Sequence, residues 1–305
     1  VLKARLFNRQ TRKKAEKSIA GHYDIGNNLY QKMLDPLMIY SCGYWQEAEN
    51  LQEAQENKLE LICRKLKLAP GHRVLDIGCG WGGFAYYAAK NYDVEVVGIT
   101  ISQEQFKLAK ERCKDLPVEI RLQDYRDLHE KFDRIVSVGM LEHVGYKNYK
   151  PYMEIVKTNL KKNGICLLHF IGGNTSKYIT DPWINKYIFP EGLIPSITQI
   201  GEALENKLIL QDWHNFGLYY DKTLMCWYDN FKNAWPSLKE SYNEMFFKMW
   251  RFYLCSSAAS FRARELQLWQ LVLTGKDFSY GYQSVRPEHL RSAELIGNQC
   301  NGNLC

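Results

Sequence analysis

Short apolar runs alternate with amphipathic stretches through the middle of the chain. Continuous apolar runs of this kind are typical of strands that are buried on both faces of a parallel sheet. The stretches between them have the length of crossover helices, so the alternation predicts a doubly wound, mostly parallel α/β sheet. We predict strands around Val74–Ile77 and at Val94–Ile101, Val118–Leu122, Phe132–Val138 and Gly164–Ile171, with helices at Phe84–Asn91 and Gln103–Cys113.

The flanking segments show helical spacing or no clear spacing. Leu51–Leu68 is predicted to be a helix that Pro70 and Gly71 end. Gly172–Pro195 lacks periodicity, which is typical of a lid or a substrate-facing insertion. Beyond it we predict a helix near Ile200–Glu205, a strand at Leu208–Trp213, helices at Thr223–Trp235 and Ser241–Leu254, and a seventh strand at Gln267–Thr274.

These patterns divide the chain into an arm, one large domain and a tail. We assign residues 1–20 to the arm, 21–280 to the domain and 281–305 to a polar tail. Within the domain, a helical segment (21–70) precedes the sheet core (71–172), the insertion (173–200) and the C-terminal helices and strands (201–280).

A glycine-rich loop follows the first predicted strand in the stretch RVLDIGCGWGG. Gly78, Gly80 and Gly82 would let the backbone turn sharply and approach a ligand closely. Asp76 precedes them, and the spacing G-x-G-x-G-G differs from the dinucleotide pattern G-x-G-x-x-G. The loop therefore favours S-adenosylmethionine (SAM) over NAD, with a tight turn that binds no ligand as the alternative.

The loops after the next three strands carry polar or aromatic side chains that suit the same ligand. Ligands of an open α/β sheet bind outside the carboxyl ends of the strands. Thr100 and Gln105 could bind the ribose hydroxyls, and Tyr125 and Arg126 could meet the adenine. Glu142 follows the fourth strand, where the activated methyl group would point. Four successive loops carry glycine, polar or aromatic residues in the order that a SAM site requires, and together they predict an adenosyl site.

Charge is concentrated at the beginning of the chain. The whole chain carries a net charge of +6, and residues 1–18 contain seven Lys or Arg and one Glu, so the remainder is balanced. Such an arm is either a solvated helix end or a segment attracted to an anionic membrane surface. Nucleic acid is not expected as a partner, because no basic track continues elsewhere.

The cysteines and the hydropathy indicate the compartment. Nine scattered cysteines, without a C-x-x-C pair or a Cys/His cluster at zinc spacing, are typical of free thiols in a reducing environment. No apolar run approaches the ~20 residues that span a bilayer. We therefore expect a cytoplasmic protein that is peripheral at the inner face of the membrane, and no metal site.

Several longer motifs resemble the family of cyclopropane-fatty-acyl-phospholipid synthases and their mycolic-acid relatives, within the class I SAM-dependent methyltransferases. The resemblance covers residues 21–274. It rests on HYDIGNNLYQKMLDPLMIYSCGYW, VLDIGCGWGG, VVGITIS, FDRIVSVGMLEHVG, LLHFIG, DPWINKYIFP and DWHNFGLYYDKTL. It implies a Rossmann-like fold with added helices that form a lipid-binding pocket.

The resemblance also implies a reaction. The family transfers a methylene group from SAM to a cis double bond in an acyl chain of a membrane phospholipid. The alkene attacks the sulfonium methyl, and the resulting carbocation loses a proton to bound bicarbonate as the cyclopropane ring closes. Matching motif by motif, the bicarbonate holders would be Cys42, Glu142, His169, the Ile171 backbone and Tyr220. The SAM contacts would be Tyr40 and Ser41, the Val74–Gly82 loop with Asp76, Thr100 to Gln105, and Tyr125 with Arg126.

Two departures from the family pattern limit what is carried over. The resemblance implies a homodimer, although bacterial phospholipid-type members usually have a further N-terminal domain that is not part of this sequence. The family cysteine before the FRAR motif corresponds to Ser257, and Cys255 is displaced by two residues, which turns its side chain through ~200° on a helix. We do not expect Cys255 to inherit the role.

Three alternatives remain open at this point. The chain could be a lipid or small-molecule C-methyltransferase that does not close a ring, or a non-catalytic SAM-binding membrane module. His143 would be the alternative base if no anion is bound.

Overall fold

Seven strands form one sheet in the order β3-β2-β1-β4-β5-β7-β6. The computed structural model describes residues 10, 12 and 26–286. Strands β1 to β5 are parallel to one another, whereas β7 runs antiparallel to both β5 and β6. The predicted doubly wound, mostly parallel seven-stranded sheet is confirmed. The strands are β1 Arg73–Ile77, β2 Glu95–Thr100, β3 Val118–Leu122, β4 Phe132–Val138, β5 Leu160–Gly173, β6 Ile209–Asn215 and β7 Leu266–Thr274.

The helices begin where side chains can satisfy free backbone N–H groups. Asn50, Ser102, Ser196 and Asn243 each accept a hydrogen bond from the first turn of the helix that follows. The described helices are α1 Asn27–Met33, α2 Leu51–Lys65, α3 Gly83–Tyr92, α4 Gln103–Arg112, α5 Leu141–Val144, α6 Tyr149–Asn159, α7 Pro182–Tyr187, α8 Ile197–Leu204, α9 Leu218–Leu238 and α10 Glu244–Arg262.

The structure corrects several predicted boundaries and adds helices. The helix predicted at Thr223–Trp235 begins five residues earlier, at Leu218, and the one predicted at Ser241–Leu254 extends to Arg262. The insertion predicted without regular structure contains the short α7. Helix α6 was not predicted, because Pro151 in its first turn suggests a break although proline is tolerated there.

An aromatic layer joins the two ends of the described chain above the sheet. Tyr30 from α1 contacts Trp250 from α10, with ring centroids 6.4 Å apart, and both side chains are fully buried. Trp227 and Phe231 from α9 belong to the same core cluster. This layer holds residues 38–45 against the C-terminal helices, which is how distant parts of the sequence reach one site.

The arm and most of the tail lie outside the described residues. Of the arm only Gln10 and Arg12 are described, and Arg12 forms an ion pair with Asp127. Within the part of the chain that the structure covers, no helix is long and apolar enough to cross a bilayer.

Candidate active site

A cavity opens at the carboxyl ends of β1, β2 and β4. It encloses about 1160 Å³ of empty space, part of it open to solvent. Nine of the ten predicted cofactor-binding residues line it: Tyr40, Ser41, Asp76, Gly78, Gly80, Thr100, Gln105, Tyr125 and Arg126.

The glycine loop shapes the floor of this cavity. Gly80 has φ +55°, and a Cβ added there would meet no protein atom within 4 Å. Gly82, the tenth predicted residue, is not part of the lining. A Cβ at Gly82 would lie 3.1 Å from the Ala109 Cβ, so this glycine permits close packing of α3 against α4. The loop thus contributes an open cradle at Gly80 and a packing contact at Gly82.

Asp76 places an uncompensated carboxyl group in the cavity. Its Oδ2 is buried and has no hydrogen-bond partner among the described residues. Burial raises the pKa of Asp76 to about 7. A buried acidic oxygen of this kind needs a donor, and the ammonium of the amino-acid end of SAM would supply one.

The remaining predicted SAM residues are positioned by local contacts. Thr100 Oγ1 donates a 2.9 Å hydrogen bond to Gln105 Oε1, which leaves the Gln105 NH₂ as a donor. The Arg126 guanidinium lies 5.0 Å from the Tyr125 ring centroid and is held by Asp124 at 3.1 Å. These contacts fix an amide and an aromatic face beside the cavity, and the cavity therefore fits an adenosyl ligand.

Glu142 and His169 form a second set of unsatisfied polar groups. Glu142 Oε1 accepts the Ile171 N–H at 2.8 Å, while Glu142 Oε2 is buried and lacks a partner in the described structure. His169 Nδ1 is 3.2 Å from Gln270 Nε2, and His169 Nε2 is likewise buried and unpaired. Where Gln270 donates, the neutral ring carries its proton on Nε2.

The protonation states of this pair follow from burial. Desolvation raises the pKa of Glu142 to about 7. Desolvation, with smaller contributions from the positive charges of Lys58 and Lys65, lowers the pKa of His169 well below its ordinary value. The pair therefore presents a carboxyl oxygen as acceptor and a neutral imidazole as donor, and this suits an anion such as bicarbonate, which can both donate and accept.

Cys42 and Tyr220 belong to the buried cluster that forms the aromatic layer. Cys42 is fully buried, donates to the Gly43 carbonyl at 3.3 Å, and has Thr223 Oγ1 4.0 Å from its sulfur. Burial raises the pKa of the Cys42 thiol, which disfavours the thiolate that a nucleophile requires. Tyr220 lies one turn before Thr223 on α9, with its ring 4.5 Å from that of Phe261.

The predicted SAM-binding residues and the predicted bicarbonate holders therefore lie in different places relative to the cavity. None of Cys42, Glu142, His169, Ile171 and Tyr220 lines the cavity. Ser41, next to Cys42, and His143, next to Glu142, do line it, as does Met140. Glu142 and Ile171 are hydrogen-bonded, and a positive charge on Lys58 acts on both Cys42 and His169. The role of these five residues stays a prediction. Burial lowers the pKa of His143 to about 4, which keeps its ring neutral.

Three residues that sequence reasoning passed over belong to the site. Lys58 lines the cavity, Thr223 connects α9 to residues 43–45, and Gln270 orients His169. Lys58 had a detectable signal, because it occupies an apolar position in the helical spacing of α2. Thr223 and Gln270 had none, since their partners are more than 100 residues away. Cys255 and Ser257 both lie partly buried on α10, and neither lines the cavity.

Comparison with known proteins decides the family. Residues 10–271 match the family model described as mycolic acid cyclopropane synthetase. The chain belongs to this family. It is 58% identical over 271 residues to cyclopropane-fatty-acyl-phospholipid synthase of Escherichia coli (strain K12), covering 89% of this chain and 71% of that protein.

Solved structures agree on the fold. The cyclopropane synthase MmaA2 from Mycobacterium tuberculosis has a TM-score of 0.80 and 28% identity over 85% of this chain and 97% of its own. The mycolic acid cyclopropane synthase CmaA1 complexed with SAH and CTAB has a TM-score of 0.80 and 30% identity, with the same coverage of 85% and 97%. The chain therefore has the SAM methyltransferase fold of this family.

Proposed function

We propose that this chain, a SAM-dependent cyclopropane synthase by its family, converts the cis double bond of an unsaturated phospholipid acyl chain into a cyclopropane ring. The observation that carries the proposal is the pair of buried, unsatisfied atoms Glu142 Oε2 and His169 Nε2, close to a cavity that fits SAM. Methyl transfer to the double bond leaves a carbocation, and a proton must leave before the ring can close. An acceptor held by Glu142 and His169 would take up that proton.

One set of residues would bind SAM, and another would hold the bicarbonate that accepts the proton. When bound, SAM supplies an electrophilic methyl carbon to the double bond, and bicarbonate would take up the proton that ring closure releases. Asp76, Gln105 and the Gly80 cradle would hold SAM in line with the acyl chain. Glu142 and His169 would hold bicarbonate by accepting and donating, with Tyr220 and the Cys42 thiol on its other side.

The protein itself keeps water away from the reacting carbons. A carbocation in contact with water would be captured as an alcohol, so exclusion of water decides the product. Trp227 and Phe261 are buried beside Tyr220, and their ring faces can also stabilise a cation. The aromatic layer therefore supports ring formation on an apolar chain.

The product assay tests this function. The chain should convert vesicles of monounsaturated phospholipid and SAM into lipid that is one CH₂ heavier, has lost the double bond and carries no methyl branch. Mass spectrometry of the released acyl chains after ozonolysis distinguishes these products. A methyl-branched or still unsaturated product would identify a C-methyltransferase instead, and absence of product with retained SAH binding would favour a non-catalytic module.

We further propose that α7 and α10 present a lipid-facing patch, which consists of Trp183, Tyr187, Met245 and Phe252. Phe252 is 55% exposed and Met245 72% exposed, and the Trp183 and Phe252 rings are 4.6 Å apart. Behind the patch, the Tyr253 hydroxyl is 2.8 Å from the hydroxyl of Tyr40, which lines the cavity. The patch thus lies near a path towards the site.

Cations surround this patch and suit an anionic bilayer. Lys186 lies 4.8 Å over the Tyr187 ring, and Lys248 and Arg251 are exposed on α10. Apolar side chains that enter the interface and basic residues that meet anionic headgroups act together in membrane-surface binding. The anionic membrane surface expected from the arm therefore has a second, independent support.

Vesicle binding tests the patch. Wild-type protein should bind phosphatidylglycerol vesicles more tightly than phosphatidylcholine vesicles, and binding should weaken with salt. Met245→Ser with Phe252→Ser should lower binding at least about tenfold, because two apolar side chains no longer enter the interface. The control Ile197→Ser with Leu218→Ser removes two apolar side chains elsewhere that are 48% and 52% exposed. Unchanged binding contradicts the patch, and a loss of self-association instead would assign it to contact between copies.

A further inference from the structure

Lys58 is a buried amine that has no direct ionic partner among the described residues. Its side chain is fully buried on α2 and lines the cavity. Its Nζ donates a 2.8 Å hydrogen bond to Ser41 Oγ, and this is one of the three donors that an ammonium has. A buried ammonium with two unused donors is costly unless an acceptor is present in the working state of the protein.

The nearest acid does not fill this role. Asp35 contributes favourable electrostatics to Lys58, yet no carboxylate oxygen of the described residues lies within 4.0 Å of the Lys58 Nζ. The Asp35 oxygens already accept the backbone N–H groups of Leu37 at 2.9 Å and Ile39 at 2.8 Å. Asp35 thus shapes the loop before Tyr40 and leaves Lys58 without a direct ionic partner.

The position of Lys58 relative to Asp76 suggests what its partner is. Both residues line the same cavity, and each carries an uncompensated charge of opposite sign. The amino-acid end of SAM is a zwitterion that presents an ammonium and a carboxylate. Ser41 accepts from Lys58, so its own hydroxyl proton remains available for the same ligand.

We propose that Lys58, together with Ser41, binds the carboxylate at the amino-acid end of SAM, opposite the ammonium that Asp76 receives. The proposal rests on the SAM site of the proposed function and concerns only this end of the ligand. Charge-assisted hydrogen bonds from a buried ammonium to a carboxylate are among the stronger polar contacts in proteins. Lys58 would thereby select ligands that retain the amino-acid part.

Binding of two ligands to one pair of variants tests this inference. SAH retains the amino-acid part, whereas 5′-methylthioadenosine shares the adenosyl thioether and lacks it. Lys58→Met should lower SAH affinity by about tenfold to a hundredfold, the loss expected for a buried charged hydrogen bond, and change methylthioadenosine affinity less than about twofold. Isothermal titration calorimetry measures both affinities without any turnover.

Lys65→Met is the matched control. Lys65 is fully buried on the same helix but does not line the cavity, and its partner Asp212 keeps Arg286 after the change. It should bind both ligands like wild type. If Lys58→Met weakens both ligands equally, Lys58 only supports the cavity wall, and if it weakens neither, the carboxylate lies elsewhere. Either result overturns the proposal.

A measurement on the wild-type chain keeps the test decisive if the variant does not fold. Burial lowers the pKa of Lys58 to about 7, so this group is largely neutral at pH 8. Binding of a carboxylate beside it would restore its proton. Calorimetry in buffers of different ionisation enthalpy should show proton uptake with SAH and none with methylthioadenosine, since only SAH brings a carboxylate to Lys58. Equal proton uptake with both ligands contradicts the proposal. Failure of wild type to bind SAH would instead overturn the SAM site itself.

Discussion

Glu142→Gln is expected to lower turnover at least about a hundredfold and to leave SAH affinity within about twofold of wild type. Gln can still accept the Ile171 N–H through its amide oxygen, so the local backbone is preserved. In the variant an NH₂ group replaces Oε2. This group is uncharged and donates hydrogen bonds, so it can no longer accept one from a bound anion. Steady-state assays and calorimetry on the same preparation separate the two effects.

The pH profile gives this prediction a second readout. The pKa of Glu142 is raised to about 7, so the carboxylate is lost as the pH falls through that value, and wild-type turnover should fall with it. The raised pKa of Glu142 also affects stability. As the pH rises from 4.5 to about 7, ionisation of this buried acid disfavours the folded state, so the free energy of unfolding falls. Residual turnover of Glu142→Gln should depend less on pH in this range, and the remaining dependence would come from Asp76, whose pKa is also raised to about 7.

The exposed Glu202→Gln on α8 is the control for Glu142→Gln, and it should behave like wild type. Turnover of Glu142→Gln within tenfold of wild type would contradict the assignment of the anion-holding pair. Loss of both turnover and SAH binding would show that Glu142 supports the cavity rather than the chemistry.

Gly80→Leu is expected to weaken SAH binding at least about a hundredfold without unfolding the protein. Gly80 lines the cavity, and a Cβ there meets no protein atom within 4 Å, so the new side chain competes with ligand rather than with the fold. The left-handed backbone costs a non-glycine residue about 1–2 kcal/mol, which a domain of ordinary stability survives. Calorimetry measures the affinity, and thermal unfolding checks the fold.

Gly71→Leu provides a matched control because it separates backbone strain from ligand exclusion. Gly71 has φ +79° and equally open surroundings, yet it lies outside the cavity. Both variants should lose similar stability, and only Gly80→Leu should lose SAH binding. Equal SAH affinity in the two variants would show that the glycine loop does not contact the ligand.

The sheet and the cofactor loops could be predicted from sequence because their signals are local. An apolar run such as VEVVGITI specifies a buried strand, and parallel strands necessarily bring their carboxyl ends to one edge. The loop residues from Asp76 to Arg126 therefore converge whatever the rest of the chain does. Helix α1 escaped prediction because its seven residues begin at Gly26 without a side-chain cap.

The second half of the site could not be predicted from the chain alone, because its contacts are long-range. His169 looks like a core histidine until Gln270 is placed beside it on β7 by antiparallel pairing. Lys58 looks like one member of a helical stripe until its Nζ is found beside Ser41. Only the family resemblance proposed roles for Cys42 and Tyr220, and those roles remain to be tested.

Thr223 has a consequence for how the protein is made. Its hydroxyl accepts from the Gly43 N–H at 3.1 Å and from the Trp45 indole at 2.9 Å, across about 180 residues of sequence. During synthesis, the sheet strands β1 to β5 leave the ribosome long before α9 does. A nascent chain would thus have its adenosyl loops in place while residues 38–45 still lack their anchor, and this anchor forms only after α9 has been synthesised.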